Sequence, residues 1–499
     1  MQISAIHTYT SRTPFLRIFF DPTWSSFAGS LILSAIAIYC ADIPNRDGML
    51  YINTASVFLE EGLTAARTSF DWVFFPVLIA YVARITSLSL ETSAYFLNTL
   101  LFAGVCATLV RIVKIQFSSA AWYACVVVLT LPAFNAQRNE IIREVGWWLF
   151  CLQALLAALR WQRQPGFSRG LFVQGLLAIA CLFRVEGVVF FGALALWQFL
   201  THTPWRQRLK HLLTLTSLPI LIGAALLGAL TLGHLEVGSR ITNYALAANP
   251  IAALAKFKAI ASQFGSAVLN EYSADEADSI LFFGLIGTAV RKFITNNGIL
   301  LIPLAFFFFK RLRHHLSTWQ PQAQFFFIYA LALAAFVIHH LFISARYVVF
   351  LNILTTPLIA IGLQHMFDTI PRWRAVFVLC LAITALANVV SLSNNKAYFR
   401  EAGEWLAARP EISSVTYIDD SRTRYFSGSA FKSDKKGALN SQEIEEAISQ
   451  GKIDYLVLYL SRRNTVRAQW ANSLELEETK RFANKAGDAV LIFQRKKSP

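Results

Sequence analysis

The sequence predicts an α-helical polytopic membrane protein that ends in a small soluble α/β domain. Three observations carry this. Of 499 residues, 55% are hydrophobic and only 15% are charged, where a soluble protein carries charge on about a quarter. Mean hydropathy is +0.48. The apolar residues gather in repeated stretches of about 20, the length that crosses a bilayer's hydrocarbon, and such stretches must be helices because backbone groups find no water there. Composition then shifts near Ser393, beyond which lie 32 of the 75 charged residues. The expected division is a transmembrane domain over 1–392 and a soluble α/β domain over 393–499.

The segment from Met1 to about Ser26 is polar and carries Arg12 and Arg17. The apolar run from Phe27 to Ala41 follows without a small-residue cleavage site, so it reads as a signal anchor. Spans are expected at roughly 27–42, 93–113, 119–137, 145–161, 170–183, 186–202, 211–233, 298–310, 323–343, 347–366 and 375–392, about 11 in all. The apolar stretch Trp72–Leu90 is read as lying along or dipping into the outer surface. Counting it as a span would put the later basic loops on the wrong side. Segment 280–293, ending in Arg291 and Lys292, is expected to be an outer interfacial or re-entrant helix.

With the N-terminus inside, the inner loops hold 15 Lys or Arg against Asp21 and Asp368 alone. The positive-inside rule predicts this pattern, and it accounts for the net charge of +15 without nucleic acid. The chain is therefore placed in the cell's inner (plasma) membrane as a multi-pass protein. Its N-terminus is cytoplasmic and its C-terminal domain extracytoplasmic. Membrane lipids are partners. The six cysteines, Cys40, Cys106, Cys125, Cys151, Cys181 and Cys380, all fall in apolar segments. They read as small core residues rather than a disulfide framework or zinc site.

Of 16 acids before residue 394, 14 fall on the outer side: Asp42, Glu186 and those in the outer loops 43–92, 138–146 and 234–297. Acids at a membrane edge are costly unless used, so any acid chemistry is expected outside. The first outer loop contains Arg46-Asp47-Gly48 and Tyr51. Gly48 permits a turn there. An amphipathic helix follows, and its dipole favours an ionised Asp47. A plain helix N-cap explains the same residues. The second outer loop contains Arg138, Glu140, Arg143, Glu144, Trp147 and Trp148. Helical spacing would put Glu140 and Glu144 on one face. The tryptophans fit an interfacial belt, and a charged cap between two helices is the alternative.

Two further positions stand out. Arg184-Val-Glu186-Gly187 breaks two apolar helices with almost no linker. Its opposite charges are expected to pair, which a salt bridge holding the two spans would explain as well as catalysis does. Arg346-Tyr347 opens a late span. A guanidinium at that depth can clamp a phosphate bidentately, and interfacial snorkelling is the alternative. His339-His340 and His314-His315 add little. A divalent cation is a candidate cofactor in the large outer loop, through His234 and Glu236 or Asp275, Glu276 and Asp278; no metal site is assigned. No Walker, dinucleotide or Ser-His-Asp signature is convincing.

The tail reads as α/β. Tyr398–Ala408 and Ser441–Ile448 are helix-like, and Val415–Ile418, Tyr455–Tyr459 and Ala489–Phe493 are strand-like.

The arrangement resembles the GT-C superfamily of membrane glycosyltransferases, which includes lipid A aminoarabinose transferases and protein O-mannosyltransferases. The resemblance covers most of the chain. It rests on Arg46-Asp47-Gly48 after the first span, Arg143-Glu144 in the second outer loop, the Arg184-Val-Glu186-Gly187 break, Arg346-Tyr347 at a late span, and the closing outer domain. One departure is Glu144, where many relatives carry Asp. Another is that the acidic metal-ligand pattern of oligosaccharyltransferases is missing. The resemblance implies a polyprenyl-phosphate sugar donor and an inverting transfer to a glycan, lipid or protein acceptor. Asp47 would be the catalytic base, with Glu144 the second, supporting acid. Cations would stabilise the leaving phosphate: Arg346, with Arg143, Arg84 or Arg67. Arg46, Tyr51, Glu140, Arg184, Glu186 and Tyr347 complete the substrate-binding set.

Two rival classes remain. A flippase or transporter would show an inverted repeat with broken helices in both halves, and no repeat is visible. An O-antigen polymerase or ligase would place key basic residues in large late outer loops.

Overall fold

The computed structural model describes residues 21–201, 204–231, 250–310, 319–390, 396–413, 416–428, 440–463, 465–474 and 476–495. The candidate ligands His234 and Glu236, and His314 and His315, lie outside the described residues. Contacts divide the chain into two compact units. The first takes 1–34, 99–138 and 143–389; the second takes 35–98, 139–142 and 390–499.

The first unit is helical. Each expected span position holds a helix, from Pro22–Tyr39 and Leu90–Gln116 through to Ala345–Thr369 and Arg374–Val389. Five helical stretches among the described residues are long and apolar enough to cross a membrane, and the apolar helices make this a membrane protein. The most enclosed is Ala345–Thr369, 89% buried over its apolar window. Gly362 lets that helix lie against the backbone of Leu301–Lys310, because a Cβ there would collide with the Pro303 carbonyl. Trp147, Trp148, Trp161 and Trp197 fill the interior.

Arg138 is buried too. Its Nη1 donates to the Ser30 carbonyl at 3.1 Å, Ser30 Oγ at 2.9 Å and Ser34 Oγ at 3.0 Å, and its Nε to Asn135 Oδ1 at 2.7 Å. These bonds offset most of the cost of burying the group, though its Nη2 finds no partner among the described residues. The serines of an apolar helix thus hold the loop that follows a different span.

One helix is shorter than expected, and one segment belongs to a longer helix. The span expected over 119–137 ends at Thr130, and Leu131 is extended (φ −62°, ψ 116°). Pro132 is the cause, since proline disfavours a helical residue before it. Segment 280–293, expected as an outer interfacial or re-entrant helix, is part of a longer one. It belongs to a 21-residue helix, Ala277–Asn297. A 3-10 turn at Gly298–Leu300 joins this to Leu301–Lys310, and the whole stretch is long and apolar enough to cross a membrane. Gly298, at φ 54°, makes the joint without ending the apolar run.

The second unit combines the first loop with the polar tail. Its sheet has the order β1-β2-β4-β3: β1 (Thr416–Ile418) runs parallel to β2 (Tyr455–Leu460), while β4 (Ala489–Arg495) pairs antiparallel with β2 and with β3 (Leu476–Ala483). Alternation sorts the side chains onto two faces. Val457, Val490 and Ile492 face a core with Tyr398, Phe399, Ala402 and Leu406, to which Ile43 and Met49 of the first loop contribute. Leu456, Leu458, Leu491 and Phe493 face Ile444 and Ala471. The helix Ser441–Ser449 starts with a capping box between Asn440 and Glu443. Trp72–Leu90 yields only a 13-residue helix, Phe74–Thr86, shorter than a hydrocarbon span requires. Its buried Phe75, Ile79 and Ala80 face the helix Arg46–Glu61, with the Phe75 ring 5.4 Å from that of Tyr51.

Candidate active site

In the first unit, three helix boundaries bring charged residues together. Helix Phe167–Phe183 ends at Arg184, whose backbone is extended (φ −148°, ψ 128°). A 3-10 turn over Val185–Val188 then leads into the helix Val189–Leu200. Gly187 makes this break tight: a Cβ there would meet Cys181 Sγ at 3.0 Å. Glu144 opens the helix Glu144–Arg163, and Arg346-Tyr347 lie in the first turn of Ala345–Thr369.

Arg184 is the hub. Its Nη1 donates to Glu144 Oε1 at 2.5 Å and its Nε to Glu186 Oε2 at 3.2 Å, while Nη2 pairs with Glu186 Oε1. Arg346 Nε lies 3.5 Å from the same Glu144 oxygen. The side chains of Arg184 and Glu144 are 11% and 4% exposed, against 24% for Arg346 and 28% for Glu186. Two members of the cluster are therefore enclosed and two are accessible. Both guanidinium groups stack on Tyr347, at 5.2 and 5.6 Å from the ring centre. The buried charge on Glu144 would be prohibitive without such partners. Arg143, half-buried just before the helix, acts electrostatically on both Glu144 and Glu186.

Tyr329 was not legible as part of this cluster. Its hydroxyl donates to the Tyr347 carbonyl at 2.8 Å, and its ring packs 5.3 Å from Trp147. The only sequence signal was a lone tyrosine within the apolar middle of its helix. A small cavity of about 60 Å³ opens between Arg184, Glu186, Tyr329 and Tyr347, with Leu333 and Phe336 closing it.

The remaining site residues lie in the second unit. Asp47 is half-buried in the first turn of the helix Arg46–Glu61. Its neighbour Arg46 donates to Asp420 Oδ2 at 2.6 Å. Gly48 does not make a turn: it is buried inside the helix. A Cβ there would meet Ile141 Cβ at 2.9 Å, so glycine serves a close approach. Tyr51 is 4% exposed, with its ring edge-on to Phe70 and Phe75. Arg67 and Arg84 are exposed in the last turns of their helices, where cations complement the dipole.

Glu140 and Glu144 do not share a helical face, because residues 140–142 are not helical. The backbone there is held from outside. Asn98 Nδ2 donates to the Glu140 carbonyl at 2.6 Å, and Ile141 N–H donates to Asn45 Oδ1 at 2.9 Å. Asp275, Glu276 and Asp278 lie in and just after a 3-10 turn. No group of three or more His, Cys, Asp or Glu suited to a metal occurs among the described residues.

No family model matches the sequence, and no curated protein does. The fold does have solved counterparts. One is the Archaeoglobus fulgidus oligosaccharyltransferase tethered with an acceptor peptide containing the NVT sequon, at TM-score 0.53 and 14% identity over 88% of this chain and 70% of that one. The same enzyme in complex with Zn and sulfate gives 0.52 and 13%, over 86% and 67%. The fold is GT-C-like. At these identities the likeness lies in architecture, so the chemistry rests on this chain's own residues.

Proposed function

We propose that this protein is a GT-C-type glycosyltransferase. It takes a sugar from a polyprenyl-phosphate-linked donor and transfers it, with inversion, to a glycan, lipid or protein acceptor on the outer face of the inner membrane. The N-terminus is cytoplasmic and the C-terminal domain extracytoplasmic. The observation that carries the reading is the cluster in which buried Glu144 braces Arg184 and Arg346. It holds guanidinium groups in a fixed geometry at helix boundaries. Fixed cations are what a departing lipid phosphate needs, since they stabilise charge as it develops without reorganising. The GT-C-like fold supports the same class.

The roles divide as follows. Arg346, the more accessible guanidinium, binds the donor phosphate. Glu144 and Arg184 orient it, and Tyr347 supplies the face on which both cations stack. Asp47 accepts the acceptor's proton as the new bond forms at the anomeric carbon and the phosphate leaves with the electron pair of the old one.

Purified protein in liposomes, supplied with polyprenyl-phosphate-linked sugars and membrane glycan acceptors, tests the reading. Sugar transfer with inverted anomeric configuration is expected. Lipid or glycan translocation without bond exchange would replace the enzyme with a flippase.

A further inference from the structure

A second cavity of the first unit is lined by none of the residues of the acid-bearing cluster. It measures about 850 Å³ and is walled by three helices. Gly104, Ala107, Thr108, Arg111, Lys114 and Ile115 line it from one helix, at the three- and four-residue spacing of a single face. Gln153, Arg160 and Arg163 line it from a second, and Thr23, Trp24 and Phe27 from a third. Arg111 lies seven residues beyond Gly104, and Arg160 seven beyond Gln153. At 1.5 Å per residue, the cationic rim stands about 10 Å from the deepest lining. The floor carries one polar pair, Gln153 Nε2 donating to Thr108 Oγ1 at 2.7 Å.

The rim has four cations and one carboxylate. Lys114 is paired with that carboxylate, Asp21, at 2.6 Å. Arg163 Nη2 is turned to the Ile115 carbonyl at 3.2 Å. Arg111 and Arg160 have no ion pair among the described residues. The chain's first 20 residues, which precede Asp21, contain no Asp or Glu, so they bring no counter-charge.

We propose that this cavity is an anion site that holds a phosphate group between Arg111 and Arg160. Guanidinium forks suit phosphate oxygens, and the volume suits a headgroup-sized molecule. Trp24 and Phe27 provide apolar wall at the rim, as a lipid-borne phosphate would require. The loops concerned are ones that the charge pattern assigns to the inner side. The site is thus separate from the proposed sugar transfer.

The test uses the full-length protein in nanodiscs of neutral phosphatidylcholine. Phosphatidic acid or inorganic phosphate is titrated, and bound ligand is read by native mass spectrometry and thermal melting. Phosphatidic acid should bind one per chain, and Arg111→Gln/Arg160→Gln should weaken it at least about tenfold, the worth of one or two charge-assisted hydrogen bonds. The matched control is Arg206→Gln/Arg208→Gln, which removes two basic-loop charges outside the cavity and should leave affinity unchanged. If inorganic phosphate alone binds with the same sensitivity to Arg111→Gln/Arg160→Gln, the site stands and its ligand is a soluble phosphate. Equal losses in both double variants, or no loss in the first, overturn the proposal, because the cations would then act only as a diffuse positive surface. None of these readouts depends on sugar transfer, so the two proposals fail separately.

Discussion

Arg46 donates to Asp420 at 2.6 Å, across 374 residues of chain. Asp420 is 5% exposed and takes more than this bond. Arg422 closes on it bidentately, with Nε at 2.9 Å and Nη2 at 2.8 Å, and the Asp420 side chain also caps its own helix through Arg422 N–H. The Arg422 guanidinium lies 3.5 Å over the Phe399 ring. Lys396 N–H donates to Asp42 at 2.8 Å. The loop that carries Asp47 is therefore fastened to the C-terminal sheet by charge as well as by Ile43 and Met49.

The two cations on Asp420 are unequal. Arg46 is 53% exposed and Arg422 14%. Exposed pairs contribute about 0–1 kcal/mol, so Arg46→Gln should barely change the melt. Asp420→Asn removes a buried carboxylate and leaves Arg422 uncompensated, a loss of roughly 3 kcal/mol. Burial pushes the Asp420 carboxyl up, but the Arg422 hydrogen bonds and the charges of Arg422 and Arg46 outweigh it, and the group titrates below the ordinary carboxylate range. A depressed value stabilises the fold fully above the unfolded pKa near 4, and that contribution disappears as pH falls through the lower folded value. Melts of Asp420→Asn and the parent should therefore differ at pH 7 and converge in acid. A gap that does not narrow at all as pH falls below the unfolded pKa near 4 would show that Asp420 acts through shape alone.

Helix positions were legible because apolar runs of bilayer length leave the backbone little choice. Three of the four strands were legible as β-branched and aromatic runs. β3 was not, since Leu-Glu-Glu-Thr-Lys-Arg-Phe-Ala is a charged edge strand with little burial and a bulge between Glu478 and Lys480. The pairing of Arg184 with Glu186 was readable from their spacing. That Glu144 completes the cluster was not, because the contact joins residues 40 apart. Nor was the partner of Arg46 readable, since nothing local marks Asp420.

Topology offers the next test. A reporter fused after Pro499 should be active only outside the cytoplasm, because the inner loops concentrate 15 basic residues against two acids. Cytoplasmic activity would reverse the assignment of both faces.

Glu144→Gln should retain the fold and lose part of the activity. The amide keeps the shape but removes one charge that positions Arg184 and Arg346, so turnover should fall while donor binding weakens modestly. Arg184→Leu should be far worse for stability, by about 3–5 kcal/mol, since it leaves buried Glu144 without its shortest partner. Equal melts for the two variants would remove Arg184 as the hub.

Arg346→Lys should weaken transfer and Arg346→Ala nearly abolish it. Lysine keeps the charge but loses the planar fork and its stacking on Tyr347. The effect should appear in donor affinity as well as turnover. Unchanged affinity for the lipid donor in Arg346→Ala would reduce Arg346 to an interfacial anchor.

The proton transfer itself is tested at Asp47. Asp47→Asn preserves the size of the side chain and removes its charge and its basicity. General base catalysis contributes about 10²–10⁴-fold, so turnover should fall by that factor. The fold should survive, because this helix is held by its buried Met49, Tyr51 and Ile52. Donor binding should also survive, because the proposed phosphate ligands lie on other helices. Turnover from purified donor is read together with the melt of the solubilised variant. Asp47→Glu gives a second reading: a longer base in the same place should recover part of the rate. A folded Asp47→Asn protein with near-normal turnover would leave Asp47 as a helix-start carboxylate and move the search for the base elsewhere.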